Sequence, residues 1–457
     1  MKILRNSSYI IDVELEDTDK YMLLHGYTGA IDVVSKNIMS FLKKTNNNFT
    51  EEECPLSKDT ISALEKRGYI TTKTQEEEYT YVARLADALH RKEKILNTVF
   101  VFVITYNCNF RCPYCFETGL HSDSIGKVFT KEMADKAYQA ILKIEPREQL
   151  RAKNITLYGG EPLLKENKEV VEYIVLKGKE LGFQFNAVTN GYDLDAYKEL
   201  LSPDLISHIQ ITIDGMKELH NTKRVHYKGY NTFDKIISNI GIALKQGTGV
   251  TIRVNTDRNN FDDLQQLKVL FEELGYSQYE NFKINSALLR GYNSEGQHTK
   301  NIPSNMFSQR EFMEKHKELK FNYGCQDYGV SYKIYSSIVN NKPLEFRSIF
   351  CKSQSNEYVL DPFGKIFPCW EVVGKAESQL GDYLNDKIHW NEKVFNLWRG
   401  YNINSTPMCR HCKYALLCGG GCPAHSFSNP TECSQFPAVI NYAINRAFRK
   451  VNNISTN

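Results

Sequence analysis

Twelve cysteines lie among the 457 residues, and their spacing constrains this chain more than any other feature. Three form the run Cys108-x3-Cys112-x2-Cys115. Eight more fall at Cys325, Cys351, Cys369, Cys409, Cys412, Cys418, Cys422 and Cys433, and Cys54 stands alone. Nothing at the amino terminus resembles a secretory leader, since Met1 to Asp17 places acidic residues where an apolar run is needed. Closely spaced cysteines in such a chain favour metal over disulfides, and two groups predict more than one metal centre. Three thiolates can hold a four-iron, four-sulfur cluster while leaving one iron without a protein ligand. A structural cluster would take four thiolates. The three-cysteine loop therefore points to a catalytic cluster, by the logic that separates structural from catalytic zinc. A zinc site built from the same cysteines and His121 is the alternative.

The remaining composition narrows the class further. The length allows two or three domains, and 41% hydrophobic with 24% charged residues is ordinary for a globular protein. A net charge of +3 gives no argument for nucleic acid or for a membrane surface. The longest apolar run, Val99 to Ile104, is too short to span a bilayer. A cytoplasmic protein without nucleic-acid or membrane partners is expected.

Residues 1–95 read as a self-contained block. Strands are expected at Tyr9 to Leu15 and Tyr21 to Leu24, and helices at Lys36 to Lys44 and Ser57 to Arg67, the latter capped by Ser57 and ended by Gly68. A strand from Tyr69 to Thr72 completes a winged-helix-like unit, and the charged stretch Thr74 to Lys94 reads as a helical linker. From Thr98 the pattern becomes strand then helix, repeated. Strands are expected at Val99 to Thr105, Asn154 to Tyr158, Phe183 to Val188, Ile206 to Ile213, Val250 to Asn255 and Phe282 to Ala287. Helices are expected between them, including Leu194 to Leu201. This alternation predicts an α/β fold with a parallel sheet, and six strands favour a partial (β/α)6 barrel of the TIM type over a full eight-stranded one. After residue 300 the alternation stops, and turns and cysteines dominate. That tail is expected to need metal to hold it. The implied domains are 1–95, 96–300, a bridging region at 301–350, and 351–457.

The cysteine loop follows the first strand of the repeat, and other marked segments follow later strands, where such folds place chemistry. Gly159-Gly160-Glu161-Pro162 follows the second strand and Thr189-Asn190-Gly191 the third. Thr212-Ile213-Asp214-Gly215 closes the fourth, Arg224 comes after His220, and Asn255 ends the fifth. Each alone is weak: the glycine and asparagine segments could be ordinary turns, and His220 with Arg224 a solvated helix face. Their order on successive strands, with Tyr114 before the third cysteine, resembles the radical S-adenosylmethionine superfamily. The resemblance implies that the open iron is chelated by S-adenosylmethionine, which one electron cleaves to methionine and a 5′-deoxyadenosyl radical. It makes Cys108, Cys112 and Cys115 the cluster ligands. It places Tyr114, Gly159, Gly160, Glu161, Pro162, Thr189, Asn190, Thr212, Asp214, Arg224 and Asn255 around the cofactor, with Glu161 accepting from the methionyl ammonium.

The carboxyl-terminal spacing Cys351-x12-Gly364-x4-Cys369, then Cys409-x2-Cys412-x5-Cys418-x3-Cys422 and Cys433, resembles the seven-cysteine SPASM extension of radical enzymes that modify peptides and proteins. The resemblance implies two auxiliary four-iron clusters, and so three in all. One would take Cys409, Cys412, Cys418 and Cys433. The other would take Cys351, Cys369 and Cys422 with an upstream cysteine, for which Cys325 is the candidate; without Cys325 it would be open to a substrate thiolate. A pair of zinc ribbons is the alternative reading.

The same resemblance implies a peptide substrate. The amino-terminal block is similar to the leader-recognition element of enzymes that mature ribosomally made peptides, which pair a strand edge with a leader by β-strand addition. Tyr9 to Leu15 or a neighbouring strand would supply that edge. The expected activity is a maturase of the sactipeptide or ranthipeptide type, joining a cysteine sulfur to a carbon of a precursor peptide. Its expected partners are a leader-bearing precursor and an electron donor such as flavodoxin or ferredoxin. Carbon–carbon crosslinking stays open, as does sulfatase maturation to formylglycine. The sulfatase-maturing relatives carry aspartate directly after the cysteine matching Cys369; here Trp370 and then Glu371 follow, and Glu371 is the candidate base. From another class, a non-catalytic iron–sulfur electron carrier would not need the ordered strand-end motifs.

Overall fold

The computed structural model describes residues 2–45, 48–117, 120, 127–291, 303–319, 324–428, 433 and 436–452. At the amino terminus, β1 (Ile3–Asn6), β2 (Ile10–Glu14), β3 (Lys20–His25), β4 (Ile31–Ser35), β5 (Phe49–Thr50) and β6 (Ile70–Thr71) form two antiparallel three-stranded sheets, β2-β3-β4 and β5-β1-β6. The period-2 alternation of β2 and β3 decides how they pack. Ile11, Val13, Met22 and Leu24 face the main core, while Leu23 faces a smaller core with Met39, Leu42, Ile61 and Leu64. The helices Lys36–Lys44 and Lys58–Arg67 supply that second core, with Ser57 accepting from the Thr60 amide and Gly68 in the left-handed region, as expected. Cys54 is buried there too. β1, β4 and β5 are not legible in the sequence: β5 has two residues, and Ile31-Asp32-Val33-Val34 in β4 breaks alternation, leaving Val33 48% exposed.

The stretch expected as a linker is a buried strut. The helix Gln75–Glu93 opens on a capping box between Thr74 and Glu77 and buries Glu78, Val82, Ala86 and His90. Glu78 has no solvent exposure. Its carboxylate accepts from Ser7 Oγ (2.5 Å), Arg5 Nη2 (2.5 Å), the Ser8 amide (2.9 Å) and Tyr27 Oη (3.0 Å). Ser7 Oγ in turn lies 2.9 Å from His25 Nε2. Burial works to raise the Glu78 carboxyl, but these donors outweigh it and the carboxyl is lowered. Burial lowers His25 from 6.5 to about 4. Both folded values lie below the unfolded ones, so this hub stabilises fully above about pH 6.5 and weakens as pH falls toward 4. Glu78→Ala should cost about 2–3 kcal/mol, somewhat less than breaking a fully buried pair because Arg5 keeps some water. Urea unfolding at pH 7.5 checks the penalty, and wild type should be less stable at pH 4.5 than at pH 7.5 because unfolding lets His25 take up a proton.

The large sheet begins at β7 (Thr98–Thr105). It continues through β8 (Arg151–Gly159), β9 (Gln184–Thr189), β10 (Ile206–Thr212), β11 (Gly249–Thr256) and β12 (Phe282–Leu288), parallel neighbours in chain order. The helices Lys131–Ile144, Lys168–Glu180, Phe233–Lys245 and Asp263–Glu273 bury their apolar faces in the same core, and Leu194–Leu200 is a 3-10 segment rather than an α-helix. Two features lie beyond the six expected strands. β13 (Gly324–Cys325) adds to β12, and β14 (Glu357–Leu360) runs parallel on the free side of β7. From β14 the sheet continues antiparallel through β15 (Lys365–Phe367), β16 (Gly381–Asp382) and β17 (His389–Trp390), giving one mixed sheet of eleven strands among the described residues.

The tail has no large separate core among the described residues and packs into the main one. The helix Phe436–Val451 buries Val439, Ile440, Ala443, Ile444 and Ala447 in the core that β7 to β12 also fill, and Val330–Val339 packs on it. Cysteines and turns dominate this region's composition. The apolar helix face has meaning only once the main sheet supplies its partner.

Candidate active site

The cysteine loop leaves β7 at its carboxyl end and is clamped from two sides. On one side the Gly160 and Glu161 amides donate to Thr105 O (3.0 Å) and Asn107 O (2.8 Å). A Cβ on Gly160 would meet Asn107 O at 2.4 Å and Tyr106 O at 2.5 Å, and Gly159 has φ +133°, so both glycines allow backbone to lie on backbone. On the other side Val225 O accepts from the Arg111 amide (2.7 Å) and Asn109 O from the Tyr227 amide (3.0 Å), a strap that the sequence did not announce. Cys108, Cys112 and Cys115 form no disulfide. Burial pushes all three up, Cys115 to about 12, and neighbouring thiols and carboxylates add to the rise at Cys108.

The strand-end segments converge on this loop. Glu161 is 1% exposed, and its carboxylate holds Thr189 Oγ1 (2.7 Å), the Asn190 amide (2.6 Å) and the Leu163 amide (2.9 Å). Three protein donors thus already engage the oxygens expected to meet an ammonium. Asn190 Nδ2 donates to Asn109 Oδ1 (2.7 Å), inside the cysteine loop, and Pro162 is buried beside Glu161. Tyr114 Oη donates to Asp214 Oδ2, and the Asn255 amide to Asp214 Oδ1 (2.8 Å). Arg224 Nη1 donates to Tyr114 Oη (3.3 Å), and its guanidinium lies 5.4 Å over the Phe110 ring. His220 is fully buried, with Nδ1 accepting from the Asp214 amide (3.3 Å), so the solvated-face alternative for His220 and Arg224 does not hold. Thr212 is buried at the end of β10. Arg224 Nε is buried without a hydrogen-bond partner. Three clustered thiol ligands beside a buried guanidinium N–H suit a four-iron cluster with a carboxylate-bearing ligand. His121, the extra ligand of the zinc alternative, lies outside the described residues.

The carboxyl-terminal cysteines fall into separate neighbourhoods. Burial and then Glu357 and Glu371 push the Cys369 thiol up, with Cys351 and Cys422 adding to the rise; burial pushes Cys409 up to about 12, with Cys418, Cys412 and Cys433 adding. Cys325 stands apart from the first set. Its place is fixed by β13 pairing at the sheet edge, and after burial the groups that act on it are Asp327, Arg446 and Tyr442. Cys325, the candidate fourth ligand beside Cys351, Cys369 and Cys422, thus has its own set of neighbours. Gly364, at φ +81°, makes the turn that returns the chain to Cys369, and Tyr106 Oη ties that turn to the first loop through Asp361 Oδ2 (3.0 Å). Trp370 stacks on Tyr158 of β8 with centroids 5.4 Å apart, setting Cys369 beside the main sheet.

Glu371, the candidate base, is held by His425 Nε2 (3.1 Å) and Arg290 Nη1 (3.3 Å) and accepts from Cys422 Sγ (3.8 Å). Burial raises its carboxyl, yet His425 and Arg290 outweigh that and hold it at about 2. A carboxylate so engaged suits an ion pair better than a base. Asn109, Tyr106, Tyr158, Arg290 and His425 carry no local motif and could not be singled out from spacing.

With this geometry in place, comparisons with known proteins are informative. Residues 97–232 match a family described as a 4Fe-4S single cluster domain. The cysteine-type anaerobic sulfatase-maturating enzyme of Clostridium novyi is 21% identical, covering 74% of this chain and 93% of its own. The radical SAM cyclopropyl synthase TigE of Paramaledivibacter caminithermalis is 20% identical, covering 91% of this chain and 89% of its own. Among solved structures, anSMEcpe with bound AdoMet superposes with a TM-score of 0.59 at 19% identity, over 78% of this chain and 99% of its own. Streptococcus suis SuiB bound to precursor peptide SuiA gives 0.52 at 13% identity, over 93% and 97%. No helix among the described residues is long and apolar enough to cross a membrane. The cysteine loop, the motifs gathered around it, the matched iron–sulfur domain and these relatives agree in likening the chain to radical S-adenosylmethionine enzymes.

Proposed function

We propose that the chain is a peptide maturase that installs a crosslink in a ribosomally made precursor, a thioether from cysteine sulfur to carbon. The observation that carries this reading is the extent of the likeness. The sulfatase-maturating enzyme is matched over nearly its whole length yet leaves part of this chain uncovered, whereas SuiB, solved with its precursor peptide, matches 93% of it. Trp370 after Cys369 supports the same reading, because the sulfatase-maturing pattern has aspartate there.

In this reading the six parallel strands form a partial barrel over 96–300, the 1–95 block binds the leader, and the 351–457 region holds two auxiliary clusters. Cys108, Cys112 and Cys115 would hold the first cluster, with Arg224 toward the cofactor carboxylate. When bound, cluster and S-adenosylmethionine supply hydrogen-atom abstraction. The peptide loses two hydrogens in forming the sulfur–carbon bond. One leaves as a hydrogen atom, and the other as a proton with an electron that an auxiliary cluster accepts. Tyr114, Asp214 and Arg224 fix the loop's position, and the Glu161 hub fixes the strand ends around it. With Cys325 apart, Cys351, Cys369 and Cys422 leave one ligand position, which suits a substrate thiolate. For the leader, Asn445 already bonds Glu14 O and the Glu16 amide at the end of β2. β4 instead borders a groove of about 500 Å³ whose walls include Arg67, Lys342 and Phe448. That edge is the better site for β-strand addition. A flavodoxin or ferredoxin would supply electrons.

A second reading, formylglycine formation on a sulfatase, is favoured by the identity of the sulfatase-maturating relative. Mass spectrometry separates the two. The reconstituted enzyme, dithionite and S-adenosylmethionine are incubated with a cysteine-bearing precursor peptide encoded beside the gene. A loss of about 2 Da with a cysteine that no longer alkylates is the expected result. An aldehyde trapped by hydrazine on a sulfatase peptide, with the precursor untouched, would reverse the assignment.

A further inference from the structure

Between the two carboxyl-terminal cysteine sets, the segment from Arg347 to Cys351 runs against Leu416 to Gly419. The contact is backbone on backbone: a Cβ on Gly419 would meet Ile349 O at 2.2 Å. Arg347 joins the two stretches. Its amide donates to Leu416 O (2.8 Å), its Nε to Leu417 O (2.8 Å), and its Nη1 reaches Phe350 O at 3.5 Å. Leu417 and Phe350 are the residues directly before Cys418 and Cys351. One guanidinium therefore sits at the ligand-bearing backbone of both sets.

A mere staple needs only Nε and Nη1. Nη2 is shut off from solvent and has no hydrogen-bond partner, an arrangement that is costly for a permanent cation unless negative charge lies nearby. Burial disfavours the charge, and the thiolates of Cys418 and Cys351 are the leading groups that favour it. Cys418 belongs to one proposed cluster and Cys351 to the other.

We propose that Arg347 is a shared counter-charge for the two auxiliary clusters, making one-electron uptake by either more favourable. This rests on the reading of both sets as cluster ligands. An electron added to either cluster adds one negative charge near a guanidinium that stays protonated, so no proton need accompany it. In a low-dielectric setting this charge is a lever on potential, alongside ligand identity and hydrogen bonding.

The test compares wild type, Arg347→Gln and Arg347→Lys, each full-length and reconstituted, by iron analysis and by redox titration followed by electron paramagnetic resonance. Arg347→Gln should make reduction at both auxiliary signals at least tenfold less favourable, a shift of 59 mV to more negative potential for a one-electron couple. Arg347→Lys, which keeps the charge but not the fork, should change it less than threefold. The signal of the Cys108, Cys112 and Cys115 cluster should not move in either variant. Unchanged potentials in Arg347→Gln, a shift at one auxiliary signal alone, or equal loss of iron in both variants would each overturn the proposal in favour of a staple. Wild-type protein with about four irons and a single cluster signal would show instead that the auxiliary-cluster reading had failed.

Discussion

Replacing Cys108, Cys112 and Cys115 together with alanine is expected to abolish release of 5′-deoxyadenosine and to lower iron by about four per chain. The fold should survive. Cys108 and Cys115 are only partly buried, and Cys112, the most buried, is 9% exposed at the rim of the core. Removing one sulfur there costs about 1–2 kcal/mol, at the low end of large-to-small changes. The loop is also held by contacts that do not involve the thiols: Arg111 to Val225, Tyr227 to Asn109, and Glu161 to Asn107. Circular dichroism and the melting transition should therefore change little while cofactor cleavage drops to background. Auxiliary signals from the residues after Cys351 should persist in the same preparation. Cleavage of S-adenosylmethionine by the triple variant at more than a hundredth of the wild-type rate would refute the assignment of the loop.

What the sequence carried and what it withheld follow from how local each feature is. The six strands from β7 to β12 were legible because each is a short apolar or alternating segment bounded by turn residues, with helical segments between most of them. The cysteine loop, Gly159 to Pro162 and Thr189 to Gly191 were legible because their residue types are contiguous. The partners that hold them were not. Asn109 meets Asn190 across 81 positions, Tyr114 meets Asp214 across 100, and Tyr106 meets Asp361 across 255. No window of sequence joins such pairs. Glu161 shows the same limit from the other side: its place in the motif was plain, but two of its three donors, Thr189 and Asn190, come from the end of β9.

Cys325 marks the point where counting residue types stops being informative. It was the only upstream thiol within reach by number, yet β13 pairing and the last helix decide where its sulfur goes, and neither was foreseen. Thr74 to Lys94 is a related case. Its charges read as a solvated helix, but the structure places Glu78 and His90 on the buried side, where Arg5, Ser7 and Gln354 satisfy them. A polar residue in a helical repeat is informative about the core only once its partner is known.

Gly160→Ala should be among the most damaging single substitutions away from the cysteines. The methyl group would meet Asn107 O at 2.4 Å and Tyr106 O at 2.5 Å, both backbone atoms that no rotamer change can move. Relief requires shifting the first residues of the cysteine loop away from β8. That would stretch the bonds from the Gly160 amide to Thr105 O and from the Glu161 amide to Asn107 O. Overpacking of this kind costs about 1–3 kcal/mol, which a domain of this size can absorb without unfolding. The cost to the site is larger, because Cys108 follows Asn107 directly and a displacement of about 1 Å can cost a hundredfold in rate. The expected result is a protein with near-normal melting, auxiliary clusters intact, and cofactor cleavage reduced at least about a hundredfold. Gly182→Ala is the matched control: a Cβ there meets nothing within 4 Å, so it carries only the strain of φ +83°. If Gly160→Ala cleaves S-adenosylmethionine at the control's rate, the glycines do not set the loop, and the contacts from Asn109 and Arg111 must position it without them.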